Sequence, residues 1–387
     1  MPGTGVALNS EWSILLAACS ALPPDEKHSR LLPLLQQPVR WPELLALAEQ
    51  HGCQPLLHQS LLGIEKAVPQ PELFSLKQGY QANLHKSLLL SRELIRIVEH
   101  LSALGLEVMP YKGPALAEVA YGDIALRQSG DIDLLIHSVD LPRIRDAVRE
   151  LGYTPHQLLS EPEERAYLKS GYECAFDGAA GRSLLELQWG ILPRFYAVDF
   201  DMRGLFDRAV IVSVAGQPMK TPSPADLLLI LSAHAAKHVW GRLVWLCDIA
   251  RIMSLPGLDW SWIGSQARAL GIVRILRVTM LAANRLLGAA IPTAAQEGLS
   301  EDRSATMLAE EIQTHIVGPG SCDVESLAYF RLMMRLRERP ADQLRFLTRL
   351  ALTPGPGEWN TVRLPGPLFP LYRMVRLSRL AAKLVRA

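Results

Sequence analysis

Residues 111–137 read YKGPALAEVAYGDIALRQSGDIDLLIH, and this stretch decides the fold. The apolar residues 106–110 before it predict a strand, and residues 114–121 predict a short helix. The segment Asp131–Ile136 then places two aspartates in an otherwise apolar strand, although aspartate is a poor strand former. Two carboxylates at such positions therefore need an explanation.

The two aspartates share one face of the predicted strand. Residues i and i+2 of a strand project to the same side, about 6.6 Å apart, so Asp131 and Asp133 point together while their neighbours point into a core. Adjacent carboxylates repel each other unless a cation lies between them. Mg²⁺ fits because it prefers oxygen ligands and completes its shell with substrate phosphates. The alternative interpretation is an ordinary turn or helix cap at Ser-Gly-Asp.

This stretch resembles the DNA polymerase β-like nucleotidyltransferase superfamily. In that superfamily a strand leads through a glycine-rich turn into a helix, and an acidic strand of the form Asp-hydrophobic-Asp follows. The forms K-G-x-A-L at residues 112–116 and R-x-x-x-D-I-D-L-L at residues 127–135 are similar to a bacterial branch, the uncharacterised nucleotidyltransferase family. The resemblance extends from about residue 41 to about residue 253.

The resemblance implies a catalytic set of three carboxylates. Asp131 and Asp133 would hold two Mg²⁺ ions, and Glu186 matches the third carboxylate, which can help to deprotonate the acceptor. Glu186 also stands out by itself, because it is central in the apolar strand predicted for residues 184–188 and a buried carboxylate needs a partner or a metal. Gln188 lies on the same face, where relatives often have histidine.

A second set of residues is expected to bind the nucleotide. Lys112 and Arg127 would balance the charge of a triphosphate, because neither has an obvious carboxylate partner at helical spacing. Gly113 would admit the phosphates closely, and Ser129 belongs to the same set. Pro114 departs from the superfamily pattern, because proline has no N–H to offer a phosphate.

Residues 224–253 predict one long helix, with Ser223 as its cap and Pro224 at its first position. At about 100° per residue, five side chains share one stripe: His234, His238, Gly241, Trp245 and Asp248. Three interpretations stay open for this stripe: a cleft wall that contacts nucleotide or acceptor, a buried hydrogen-bonded network, and a zinc site through the two histidines. We include His234 and His238 among the expected nucleotide-binding residues.

Composition limits the class of protein. The 387 residues suffice for two or three domains, and 49% hydrophobic residues allow a sizeable core. The net charge of +1 argues against a bulk polyanion binder, and no basic groove with interleaved aromatics indicates a nucleic-acid acceptor. Five scattered cysteines without a C-x-x-C motif argue against a disulfide framework or a zinc–thiolate site.

The cysteine usage fits a reducing cytoplasm. The amino-terminal residues lack the basic segment of a signal peptide, and no apolar stretch is long enough to predict a spanning helix. We therefore expect a cytoplasmic protein.

The expected fold class is α+β, with a small mixed β-sheet nucleotidyltransferase core flanked by N-terminal and C-terminal helical domains. The N-terminal helical domain would cover residues 1–83, the core 84–222 and the C-terminal helical domain 223–352. Residues 353–387 would form a linker and a basic amphipathic tail, which can lie on an anionic membrane surface or pack on its own protein. The basic residues of this tail are Arg363, Arg373, Arg376, Arg379, Lys383 and Arg386.

The expected activity is Mg²⁺-dependent transfer of a nucleoside monophosphate from an NTP. The acceptor would be a hydroxyl or phosphate of a small molecule, a peptide or a protein. The alternative is a non-catalytic nucleotide-binding or scaffolding relative in a biosynthetic or export pathway. The three carboxylates favour the enzyme, whereas the Gly113-Pro114 turn and Gln188 favour the alternative.

Overall fold

The computed structural model describes residues 8–157, 160–179, 183–296, 302–318, 326–359, 361–362 and 364–386. The fold is mixed α+β, as expected. Its strands are β1 (Val108–Pro110), β2 (Asp131–Ile136), β3 (Tyr153–Pro155), β4 (Glu173–Gly178), β5 (Leu184–Gln188), β6 (Val210–Val214) and β7 (Gln217–Thr221).

Helices precede, surround and follow the strands. They are α1 (Ser10–Cys19), α2 (Pro24–Leu35), α3 (Trp41–Gln50), α4 (Gln54–Leu61), α5 (Gln70–Ala103), α6 (Gly113–Tyr121), α7 (Leu141–Glu150), α8 (Glu161–Ser170), α9 (Met202–Asp207), α10 (Pro224–Lys237), α11 (Leu243–Met253), α12 (Trp260–Leu270), α13 (Val273–Leu287), α14 (Thr293–Gln296), α15 (Arg303–Val317), α16 (Leu327–Arg335), α17 (Pro340–Leu352), α18 (Pro356–Trp359) and α19 (Tyr372–Arg386).

The main sheet has the strand order β1-β2-β5-β4-β3, and β6 pairs with β7 in a separate hairpin. Strands β2 and β5 are parallel, and the other neighbours in the main sheet are antiparallel. The parallel register makes Asp133 and Glu186 direct partners. Because side chains alternate along a strand, Ile132 and Leu134 are buried on the opposite face.

Gly113 makes the connection between β1 and α6. Its φ of +57° lies in the left-handed region that glycine adopts readily, and a Cβ there would lie 3.4 Å from the Asp131 carbonyl oxygen. The segment that leads from α6 to β2 is held by Asn83 of α5, whose amide donates to the Ala125 carbonyl at 2.7 Å. These contacts place the start of α6 beside the acidic end of β2.

The described residues form two apolar clusters. One joins the sheet to α5 and α7, through residues such as Leu94, Leu134 and Ile144. The other contains residues of the N-terminal helices, of α6 and of the C-terminal helices together. Helix α5 runs continuously across residue 83. The domain boundaries drawn from the sequence remain predictions.

The single helix predicted for residues 224–253 is wrong, because the structure has two helices there. Helix α10 ends at Lys237, and Val239 and Trp240 turn the chain with φ values of +52° and +50°. Tertiary contacts stabilise this turn. The Trp240 indole N–H donates to Thr279 Oγ1 at 3.0 Å, and the Leu243 N–H donates to His51 Nδ1 at 3.1 Å. Both helices are buried, so apolar residues continue across the break, and the hydrophobic pattern of the sequence does not reveal it.

The C-terminal helix α19 packs against α17. The Arg376 and Arg379 guanidiniums form ion pairs with Glu358, at 3.3 and 2.5 Å. Of the predicted basic tail, Arg363 lies outside the described residues. No described helix combines the length and the apolar character that crossing a bilayer requires.

Candidate active site

Three carboxylates meet at the parallel pair of strands. Asp131 and Asp133 come from β2 and Glu186 from β5, and one oxygen of each lies within 4.8 Å of the others. Asp133 is only 2% exposed. The structure therefore brings together the residues that the sequence predicts as catalytic and metal-binding.

The two oxygens of Asp133 have different surroundings. Its Oδ1 accepts a hydrogen bond from Lys112 Nζ at 3.0 Å and another from Gln188 Nε2 at 3.2 Å. Its Oδ2 is buried and has no hydrogen-bond partner among the described residues. Buried polar atoms are rarely left unpaired, because each costs about 1–3 kcal/mol or more when charged. An oxygen in this state fits a cation site.

Gln188 positions the carboxylate cluster through hydrogen bonds. Its amide N–H₂ also donates to Glu186 Oε2 at 2.9 Å, and its carbonyl oxygen accepts from the Tyr111 hydroxyl at 2.5 Å. Tyr111 and Gln188 are both 1% exposed. The position where relatives often have histidine thus holds an amide that positions two of the three carboxylates.

Burial and repulsion by neighbouring carboxylates raise the pKa values of Glu186 and Asp131. The pKa of Glu186 rises to about 7, because burial and then the Asp133 and Glu173 charges disfavour its anion. The pKa of Asp131 is raised by burial and by Asp133, against the opposing effect of Lys112 and Arg127. A cation at the cluster would relieve this repulsion.

Lys112 supplies positive charge inside the site. Burial disfavours its ammonium, but the carboxylate of Asp133 and the hydroxyl of Tyr111 offset this effect, and the pKa of Lys112 is raised overall. The side chain is 15% exposed. Lys112 is therefore charged at neutral pH and lies beside the carboxylate cluster. Its ammonium is hydrogen-bonded to Asp133.

A second polar group borders the carboxylates. Lys237 Nζ donates to the Tyr172 hydroxyl at 2.7 Å, and that hydroxyl also bonds to Glu173. The charges of Glu173, Lys112 and Glu186 all affect the pKa of Lys237, which burial lowers. None of these residues is among those predicted from the sequence. An acidic residue within an otherwise apolar strand, the feature that marks Glu186, was the available signal for Glu173.

A cavity of about 410 Å³ adjoins this group. Tyr172 and Lys237 line the cavity on one side, and Phe195 and Phe330 contribute aromatic surface. Residues of the C-terminal segment, including Arg376 and Arg379, also line it. The cavity gives a small molecule room next to Tyr172 and Lys237.

Arg127 has a carboxylate partner after all. Its Nε donates to Asp248 Oδ2 at 3.0 Å, and one terminal nitrogen donates to Ser129 Oγ at 2.8 Å. The Tyr121 hydroxyl donates to Asp248 Oδ1 at 2.8 Å. Sequence spacing could not show this partner, because Asp248 lies 121 residues further along the chain, and the expected role of Arg127 in nucleotide binding stays a prediction.

His234 and His238 lie together despite the broken helix, with ring centroids 4.8 Å apart and both rings against Trp245. Burial, and then the positive charge of Lys112, lowers the pKa of His234 well below its usual range. Burial and Lys237 lower the pKa of His238 to about 4. Both rings are therefore neutral at pH 7.

Within the part of the chain that the structure describes, the two histidines do not join a group of three potential metal ligands. Among the described residues, the groups of three potential ligands are the carboxylates and Cys19, Cys53 and Cys247. The positive charge of Lys112 contributes to the lowered pKa of His234, which supports an approach of this end of α10 to the carboxylate site. This supports the interpretation of the histidine stripe as a wall of the cleft. The interpretation as a zinc site lacks a third ligand among the described residues.

Comparison with known proteins identifies the family to which this chain belongs. The model of a family described as "Uncharacterised nucleotidyltransferase" matches residues 37–288. A solved structure similar to this chain is an antigenic nucleotidyltransferase-like protein from Paracoccidioides brasiliensis, with 16% identity and a TM-score of 0.35, covering 53% of this chain and 95% of that one. No curated protein matches. Because the family model spans well over half of its residues, the chain belongs to the uncharacterised nucleotidyltransferase family.

Proposed function

We propose that this protein catalyses Mg²⁺-dependent transfer of a nucleoside monophosphate from an NTP to a hydroxyl or phosphate acceptor, as a member of the DNA polymerase β-like superfamily. One observation carries the proposal. Asp131, Asp133 and Glu186 converge within 4.8 Å, and the buried Oδ2 of Asp133 has no partner among the described residues.

The donor set fits Mg²⁺, which is a hard cation with oxygen ligands. Asp131, Asp133 and Glu186 would hold two ions. When bound, such ions neutralise charge on the phosphates and favour in-line displacement at phosphorus.

The protein's own residues would bind the triphosphate and accept a proton. Lys112 and Lys237 place positive charge beside the carboxylates, and His234 and His238 offer neutral hydrogen-bonding groups in the cleft wall. The acceptor oxygen would bond to the α-phosphorus while the bond to the β-phosphate bridge breaks, and pyrophosphate leaves with the electron pair. Glu186 would take the acceptor proton, since its carboxylate lies beside those of Asp131 and Asp133.

The acceptor would enter through the cavity beside Tyr172 and Lys237. Its aromatic surface and the Lys237 ammonium suit a molecule with an apolar part and a negative charge. A macromolecular acceptor would reach the same position with one side chain or one terminal group.

The test uses α-labelled NTPs, Mg²⁺ and candidate acceptors, with transfer followed by mass spectrometry and pyrophosphate release. The matched control is Asp177→Asn, because Asp177 lies on the same sheet but its side chain is exposed and bonds only to His156 among the described residues. Transfer that survives in Asp133→Asn would overturn the proposal. NTP binding without transfer to any acceptor would instead indicate the non-catalytic nucleotide-binding relative.

We also infer a cytoplasmic protein with peripheral membrane contact through its tail. Arg373 and the apolar residues Leu371, Met374 and Leu377 are exposed together on and beside α19. Basic and apolar side chains on one surface favour anionic lipid. Sedimentation with phosphatidylserine vesicles should recover the wild type but not the double variant Met374→Ser and Leu377→Ser, and equal recovery of both would contradict this inference.

A further inference from the structure

Three of the five cysteines lie together inside the protein. Cys19 ends α1, Cys53 precedes α4, and Cys247 lies in α11, and their sulfur atoms are all within 4.8 Å of one another. Each residue is at most 3% exposed. The wide spacing of the cysteines in the sequence argued against a thiolate site. The fold nevertheless brings the three cysteines together, because α1, α4 and α11 meet there.

Two basic side chains act on this cluster. Lys27 is 7% exposed, and its ammonium donates to the Ala18 carbonyl at 3.2 Å beside Cys19. The positive charges of Lys27 and Arg251 both act on Cys19. Positive charge next to buried sulfur stabilises thiolates, which are the form that binds metals.

A surface cavity leads to these basic residues. It has a volume of about 250 Å³ and is lined by Lys27, Arg251 and His28, among others. The cavity thus reaches Lys27 and Arg251, whose charges act on the cluster, and the three cysteines themselves do not line it. Ligand number, surrounding charge and an entry path are the features by which a metal site can be judged.

We propose that Cys19, Cys53 and Cys247 bind one thiophilic metal ion of the Zn²⁺ or Cu⁺ type, which joins α1 and α4 to α11. Soft thiolate ligands select these ions over Mg²⁺. Among the described residues no fourth histidine, cysteine or carboxylate joins the cluster. Structural zinc normally takes four ligands, so three thiolates favour Cu⁺, which accepts three-coordination.

The binding step conserves charge and atoms. Three S–H groups lose their protons to solvent as three metal–sulfur bonds form, and no electron is transferred. The product carries two negative charges with Cu⁺ or one with Zn²⁺. Lys27 and Arg251 offset this charge in the low-dielectric interior.

The test is a titration of the purified full chain, kept reduced by a phosphine, with Cu⁺ or Zn²⁺ against a chromogenic chelator. We expect one tightly bound equivalent in the wild type. Cys53→Ala and Cys247→Ala should bind at least ~100-fold more weakly, because loss of a ligand exceeds the effect of losing a supporting contact. Cys174→Ala is the matched control, since Cys174 is a half-buried free cysteine outside the cluster, and it should behave as wild type.

Circular dichroism of each variant checks that the helices remain. If the alanine variants do not fold, Co²⁺ added to the wild type decides, because thiolate coordination produces sulfur-to-metal charge-transfer absorption in the near ultraviolet. Tight binding in the Cu⁺ arm but not the Zn²⁺ arm would identify the ion. Failure of the wild type to bind either ion, or equal binding by folded Cys53→Ala, would overturn the proposal.

Discussion

Asp133 of β2 and Glu186 of β5 are register partners in the parallel pair at the centre of the sheet. Like charges directly across a sheet destabilise it, and burial together with the charge of Asp133 raises the pKa of Glu186. A sequence selected for stability alone would not pair a buried carboxylate with a half-buried one here. The pairing is therefore best explained as part of a cation-binding site. Substitutions in it should change binding and folding stability differently.

Replacing Asp131 should separate activity from stability. Asp131→Asn removes a negative charge that repels Asp133, so the melting temperature should stay the same or rise. Transfer should fall at least ~100-fold, because a direct ligand matters more than the surrounding contacts whose loss costs ~10–100-fold. Thermal melts and transfer assays of Asp131→Asn and Asp177→Asn would check this, and a marked loss of stability in Asp131→Asn alone would contradict it.

The pKa of Glu186 predicts a pH dependence of stability. Its folded-state pKa of about 7 lies above the ordinary value of 4.5, so the folded state holds the proton more tightly than the unfolded state. Metal-free protein should therefore lose stability as pH rises from about 4.5 to about 7, with no further loss from this group above that range. Urea melts of wild type and Glu186→Gln across this range measure the effect.

The difference between the two proteins isolates this one group. Glu186→Gln cannot ionise, so its stability relative to wild type should increase steadily between these pH values. Added Mg²⁺ should reduce the difference by favouring the ionised carboxylate in wild type. A difference that is independent of pH would show that Glu186 titrates normally.

Lys112 is predicted to stabilise the protein as well as to serve the nucleotide. Lys112→Met leaves Asp133 buried without its ammonium partner at 3.0 Å, and breaking a buried pair in this way costs ~3–5 kcal/mol. Mg²⁺ should restore part of the loss by replacing the cation. The matched control is Lys220→Met, which breaks the exposed Lys220–Glu107 pair and should cost only ~0–1 kcal/mol. Equal losses in both variants would refute the prediction.

Local geometry explains which parts of the site were predictable. Strand alternation places Asp131 and Asp133 on one face because the period of two operates over a few residues, whereas Glu186 joins them through the register of β2 and β5. The break between α10 and α11 was not predictable in this way. It depends on a hydrogen bond from the Leu243 N–H to His51, which lies 192 residues away, and the helical pattern carries no trace of such a contact.

Side-chain networks were less predictable than the backbone. Tyr172 and Lys237 meet only because the fold brings β4 near the end of α10, and the three cysteines meet for the same kind of reason. Each of these side chains alone looks like an ordinary core or surface residue. Sequence patterns therefore identify the carboxylates that define the site, and the tertiary structure supplies the groups that surround them.

The Arg127–Asp248 pair offers the last test. Both side chains are buried, with exposures of 8% and 0%, and Tyr121 adds a further hydrogen bond. Either single change, Arg127→Met or Asp248→Leu, should cost ~3–5 kcal/mol because it leaves one buried charge unpaired. The double variant should be more stable than the sum predicts, by ~0.5–3 kcal/mol, since the two residues interact directly.

The same variants decide between the two roles considered for Arg127. If its guanidinium serves chiefly as the partner of Asp248, Arg127→Met should lower the melting temperature and leave the KM for NTP nearly unchanged. If it binds the triphosphate, KM should rise even under conditions where the variant is fully folded. Urea melts give the coupling energy, and steady-state kinetics well below the melting temperature give KM. We expect a lower melting temperature with a nearly unchanged KM, because Asp248 and Ser129 already accept hydrogen bonds from nitrogens through which Arg127 would bind a phosphate.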